Sequence, residues 1–309
     1  MITSIRGAAL LFASMLAGAP GPAIAADDGF AVAVTVDDLP AHGPLPRGLT
    51  RAAIAGAYAG TLRAHGVPEA FGFVNARGLA DEPDSAAALA LWRAAGYPLG
   101  NHTYGHLGLS QAPSLDAWTD DVARNEPALA ARMGAGDWHW LRYPFLDAGA
   151  GPRHDGALAW LQRRGYRIAD VTLGFDDWAY SAPYARCLDK GDAVAIAAMR
   201  DGFLRRVDQQ IARSKALSRR VYGRVIPQVL LTHVGAWSAA TLPQVLARLD
   251  AAGAHYVTLA QAQADAAYRD TGPRSGNGAL MERRAGELGV DTAGLPEVEP
   301  VAPLDGVCR

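Results

Sequence analysis

Two aspartates in tandem, Asp37-Asp38, and two histidines four residues apart, His102 and His106 in NHTYGH, stand out for their chemistry. The His-x-x-x-His spacing puts both imidazoles on one side of a helical turn or a tight loop. With one carboxylate they make a two-histidine, one-acid site with room for water, the arrangement of a hydrolytic metal ion. Two carboxylates this close do not both remain free anions in a partly buried pocket. With Asp38 on the cation its charge is neutralised there, and Asp37 stays ionised to act as general base. His233 is the candidate general acid, because its ordinary pKa lies near working pH. Arg142 is placed to orient Asp37, and Asp177-Trp178 offers His233 a hydrogen-bond acceptor beside an aromatic platform.

These residues share a position in the chain's pattern. Phe30–Val36 (FAVAVTV) reads as a strand with valine at alternate positions, and Asp37-Asp38 end it. Helical spacing follows from about Thr50 to His65, then an apolar run at Ala70–Val74. A helix opens near Asp84-Ser85, a short strand precedes Asn101, and Ser114–Met133 is a helix with Ser114 as N-cap. Strands are expected at Trp138–Leu141, Tyr166–Leu173, Pro227–Thr232 and His255–Leu259. Helices are expected at about Gly156–Arg164, Asp192–Ser218 and Ala239–Ala252. Strand and helix in alternation predict a parallel sheet with helical crossovers, and about seven units suit a barrel better than an open sheet. The carboxyl ends of parallel strands open onto one face, where the polar residues at five strand ends would converge.

Half of the residues are apolar, enough for a large core. With 29 basic against 31 acidic residues the chain lacks the basic footprint of a nucleic-acid binder. Residues 1–25 read as a cleavable signal peptide. Arg6 supplies the charged region, Ala8–Leu16 an apolar run too short to span a bilayer, and Ala23-Ile24-Ala25 the cleavage pattern. The mature protein is therefore expected to be periplasmic or secreted. Residues 26–269 would form the catalytic domain and 270–309 an irregular tail wrapping the surface, with a helical patch near Leu280–Leu288. No stretch after the leader reaches transmembrane length. Cys187 and Cys308 permit a disulfide in an exported protein, and two cysteines so far apart are equally compatible with free thiols. Oligomeric state is not encoded legibly. No nucleophile-elbow serine, glycine-rich phosphate loop or His-Glu-x-x-His helix is present.

In this order the motifs resemble those of the polysaccharide deacetylase family, the NodB-like carbohydrate esterases: TVDD at Thr35–Asp38, HTYGH at His102–His106, RYPF at Arg142–Phe145, DDW at Asp176–Trp178 and LTH at Leu231–His233. The resemblance runs from about Phe30 to Leu259. It implies a distorted (β/α) barrel of about seven parallel strands and hydrolysis of an N- or O-acetyl group on a carbohydrate substrate. Asp38, His102 and His106 would hold zinc or, alternatively, cobalt, nickel or manganese. Water activated at that ion would attack the acetyl carbonyl, with Asp37 as base and His233 as acid. Arg142 and Asp177 would hold base and acid in place, and the Phe145 N–H would meet the oxyanion. Tyr143, Phe145, Trp178 and Leu39 are expected to border the substrate.

Three positions depart from the family pattern. Leu39 stands where glycine usually follows the aspartate pair, Gly174 where an aspartate precedes Asp177 by three, and Leu146 where glycine usually follows Phe145. None is a proposed ligand, so they bear on the substrate. A bulky Leu39 at the pocket edge would suit a C–N hydrolase of a small non-sugar amide. A non-enzymatic glycan-binding envelope protein is a third reading, but it needs neither base nor acid.

Overall fold

In the computed structural model of the chain, residues 29–82, 84–269, 276–301 and 303–309 are described, together with Met1. The expected leader, apart from Met1, lies outside them. Eight strands are present: β1 (Phe30–Leu39), β2 (Ala70–Val74), β3 (Leu99–Asn101), β4 (Trp140–Leu141), β5 (Arg167–Ile168), β6 (Leu173–Gly174), β7 (Gln228–His233) and β8 (Ala254–Val257). Every pairing among them is parallel. Seven run in the order β5-β4-β3-β2-β1-β7-β6, while β8 pairs with the first residues of β1. β5 and β6 are neighbours in sequence yet lie at opposite ends of that path. The sheet therefore curls into a half-barrel with helices around it, as expected of a distorted (β/α) barrel.

The helices form where capping chemistry and apolar spacing agree. Thr50, Ser114 and Asp192 each accept a hydrogen bond from the backbone N–H three residues on, at Ala53, Ala117 and Ala195. They open the helices Arg51–Ala64, Leu115–Met133 and Ala193–Tyr222. Trp92, Trp118 and Trp237 are wholly buried, and Trp237 stacks on Tyr180 with ring centroids 5.0 Å apart. The expected strand at Tyr166–Leu173 is two short strands. Between them the Ala169 carbonyl accepts from Arg142 Nε and the Asp170 N–H donates to the Gln263 side chain, so neither serves the sheet.

The C-terminal segment does more than wrap the surface. Its helix, Leu280–Leu288, buries Leu280, Met281 and Ala285 in a cluster with Val229 and Leu259. Farther on, the guanidinium of Arg186 donates to the carbonyls of Leu304, Asp305 and Val307, and Cys187 is bonded to Cys308. That bond closes a loop across 121 residues of sequence. No helix among the described residues is long and apolar enough to cross a membrane.

Candidate active site at the carboxyl end of the sheet

In a regular strand the side chains of neighbouring residues point to opposite faces. At the end of β1 that alternation breaks. The register against β2 shifts between Val36 and Leu39, and Asp38 has φ 63°, in the left-handed region. Both carboxylates of the tandem are thereby turned into one cleft of about 440 Å³. Leu39, one residue on, is fully buried with its side chain over Gly72 of β2. It does not border the cleft, contrary to the expectation that it narrows the pocket edge.

Asp37 is level with His233 in the β1–β7 register and is buried. Arg142, only 1% exposed, donates from one terminal nitrogen to both Asp37 oxygens at 3.2 Å and from the other to Thr35 Oγ1 at 2.8 Å. Burial pulls the Arg142 pKa down even against the charge of Asp37, so the pair is dry and mutually dependent. Tyr143 faces the other way, as strand alternation after an inward Arg142 requires. It is buried against Trp118, with ring centroids 5.5 Å apart, and is not part of the cleft wall. Its expected substrate contact is therefore corrected.

His102 follows β3, and its Nδ1–H donates to the Arg142 carbonyl at 2.8 Å. That bond leaves Nε2 as the ring's acceptor, 3.4 Å from Asp38 Oδ1 and 3.6 Å from Asp37 Oδ2. His106 Nε2 is also 3.4 Å from Asp38 Oδ1. Burial, then the neighbouring His102, push the His106 pKa down to about 4, so its ring is neutral near neutral pH. Burial raises the Asp38 carboxyl, but the imidazoles of His102 and His42 outweigh it and hold the group well below the usual range.

Across the cleft, His233 closes β7. Its Nδ1 bonds Asp177 Oδ1 at 2.9 Å, and its backbone N–H donates to Asp177 Oδ2 at 2.8 Å. Ser238 Oγ donates to the same Oδ2 at 2.7 Å. Burial lowers the His233 pKa, but Asp177 more than reverses this through charge and hydrogen bond, and the value rises to about 9. Phe145 and Trp178, 57% and 53% exposed, stand on the rim, with the Phe145 ring 4.5 Å from that of His106.

With this geometry in view, the sequence compares as follows. The profile of the polysaccharide deacetylase family matches residues 25–169. Over those residues the chain is similar to the polysaccharide deacetylase family. No curated protein matches the sequence. Among solved structures, the chitin deacetylase of the fungal pathogen Colletotrichum lindemuthianum superposes with a TM-score of 0.50 at 21% identity. The match covers 76% of this chain and 87% of that one. A mutant, with restored enzymatic activity, of a family 4 carbohydrate esterase pseudoenzyme from Bacillus anthracis gives 0.50 at 16% identity, covering 77% and 68%. At such identities these likenesses speak for the fold.

The cleft has the donor set a divalent ion needs. One ligand atom each from Asp38, His102 and His106 lies within 4.8 Å of the others. Asp38 Oδ1 is buried and has no hydrogen-bond partner, a costly state that a cation would relieve. Seven non-glycine residues among those described have φ between 52° and 63°. Six of them (Asp38, Thr103, His106, Phe145, Leu146 and Asp176) line or adjoin the cleft, where such conformations cost about 1–3 kcal/mol each. Of the expected residues the cleft gathers Asp37, Asp38, His102, His106, Phe145, Trp178 and His233, with Arg142 and Asp177 behind the base and the acid.

Sequence reasoning missed His42. Its Nδ1 lies 2.7 Å from Asp38 Oδ2, and its ring borders the cleft 5.0 Å from that of His233. The only signal was its spacing of four from Asp38, in a loop without periodicity. Ser238, which completes the Asp177 cage, was likewise not singled out, and Asp176, on the cleft wall and paired with Arg206, was read only as the first residue of DDW, without a role.

Proposed function

We propose that the protein is a metal-dependent hydrolase that removes N- or O-acetyl groups from a carbohydrate, and that it acts outside the cytoplasm after removal of residues 1–25. The observation that carries this reading is Asp38 Oδ1, buried, unbonded and 3.4 Å from two imidazole nitrogens, with Asp37 alongside. A divalent ion, zinc by preference or else cobalt, nickel or manganese, would lower the pKa of water and polarise the acetyl carbonyl there. Asp37, locked by Arg142, accepts the proton of the attacking water. The Phe145 N–H is offered to the developing oxyanion. His233 carries its proton on the nitrogen opposite Asp177 and delivers it to the departing amine or alkoxide. Trp178 and Phe145 present aromatic faces to a sugar ring at the rim. The Cys187–Cys308 bond agrees with an oxidising compartment, which supports export.

A fold relative described as a pseudoenzyme shows that the fold alone does not decide activity. Here the base, the acid and all three metal donors are present together. The small-amide reading rested on Leu39, which lies in the core, so its support is gone. A glycan binder without turnover needs neither the Arg142–Asp37 pair nor the Asp177–His233 pair. The test is acetate release from chitooligosaccharides, peptidoglycan fragments and acetylxylan, before and after chelation. Release that stops on chelation and returns with added ion is expected. No release from any of them, with ion bound, would refute the carbohydrate reading.

A further inference from the structure

We infer that His42 is a positioning residue for Asp38, setting which carboxylate oxygen faces the metal donors and so tuning ion affinity. The inference rests on the metal reading above, and on contacts that none of the family motifs contains. Asp38 divides its two oxygens between different tasks. Oδ1 faces His102 Nε2 and His106 Nε2 at 3.4 Å each and has no hydrogen bond. Oδ2 accepts from His42 Nδ1–H at 2.7 Å. A carboxylate on a two-carbon side chain rotates readily about its terminal torsion, which is broad. The charge-assisted bond from His42 removes that freedom and leaves Oδ1 directed at the donors.

The loop that carries His42 is itself held. The His42 N–H donates to the Val234 carbonyl at 2.6 Å, immediately after the strand that presents His233. A Cβ on Gly43, at φ 73°, would stand 2.8 Å from Ser181 Cβ, and one on Gly235 would stand 3.2 Å from the His42 carbonyl. Gly43 thus permits the loop to approach the helix Ser181–Lys190, and Gly235 permits it to approach the end of β7. With its ring 5.0 Å from that of His233, His42 sits between the metal donors and the general acid. The side chain is 25% exposed, too open to be explained as core filling. Among the described residues its side-chain hydrogen bond is to Asp38.

Outer partners of metal ligands change metal affinity by about 10–100-fold when removed. The test uses the full mature chain, stripped of ion and titrated with Zn²⁺ against a competing chelator. Three proteins are compared: wild type, His42→Ala, and His42→Asn, whose amide nitrogen can stand in for Nδ1. His42→Ala is expected to bind about 10–100-fold more weakly, and His42→Asn is expected to recover most of that loss. The visible spectrum of the Co²⁺ form should also change in His42→Ala, because an unconstrained Asp38 alters the ligand field, and should return in His42→Asn. A folded His42→Ala protein with wild-type affinity and spectrum would overturn the inference while leaving the metal site standing. Weak binding in both variants would also overturn it, since the hydrogen bond would then not be the operative feature. Failure of wild type itself to bind any ion would refute the metal reading and this inference with it.

Discussion

The two sides of the cleft are built on opposite principles. Around His233 the carboxylate behind the ring is fully engaged: Asp177 takes hydrogen bonds from the ring, the backbone and Ser238, and the strand beneath is regular. Around Asp38 the backbone is left-handed at three of the nearby residues, and one buried oxygen has no partner. The first side is complete as it stands, while the second is held open at an energetic cost. Left-handed backbone at the donor residues and an orphaned carboxylate oxygen between them are what a site prepared for a cation should show. The acid side needs no added group to hold its geometry, so the two should fail in different ways.

The largest difference is expected on removing Asp38. Asp38→Ala should abolish both ion binding and turnover, as read by metal analysis and acetate release, because no other described carboxylate faces both histidines so closely. His233→Ala should leave ion binding intact and lower kcat by about 10²–10⁴-fold. Loss of both properties in His233→Ala would break the division between the sides.

Asp177→Asn sharpens the comparison through pH. Asp177 raises the His233 pKa to about 9, so the proton needed by the leaving group is present below that value and lost above it. Turnover should therefore fall as pH rises through about 9. Without the Asp177 charge the pKa drops, and the alkaline fall should move to lower pH. An unmoved alkaline limb in the pH profile would remove His233 as the acid. The smallest effect on activity is expected from the paired change Cys187→Ser and Cys308→Ser, which lies away from the cleft. It should cost about 2–4 kcal/mol of stability in denaturant unfolding, with kcat nearly unchanged.

The same contrast explains how much the sequence disclosed. The acid side obeys strand periodicity, so His233 at the end of an apolar run and Asp177 beyond its neighbour were legible as strand-end residues. The Asp37-Asp38 tandem was legible as chemistry, and His102 and His106 by their spacing. Three details escaped the strand-end reading. Leu39 was expected at the pocket edge, but the left-handed Asp38 sends it into the core over Gly72. Tyr143 follows an inward arginine and so packs beneath, on Trp118. His42 reaches Asp38 through a loop fixed by Val234, nearly two hundred residues away in sequence, which no local pattern announces. The barrel itself followed from alternation, but the split of the expected Tyr166–Leu173 strand did not, because side chains of Arg142 and Gln263 take its backbone groups.

The most direct test of the account compares wild type with Asp37→Asn, both stripped and reloaded with the same ion. Ion content and acetate release from an acetylated oligosaccharide would be measured together. The account predicts equal ion content and a rate in Asp37→Asn lower by about 10²–10⁴-fold, the contribution of a general base. Equal rates with equal ion content would contradict it, because the carboxylate that Arg142 holds in the cleft would then have no part in the reaction.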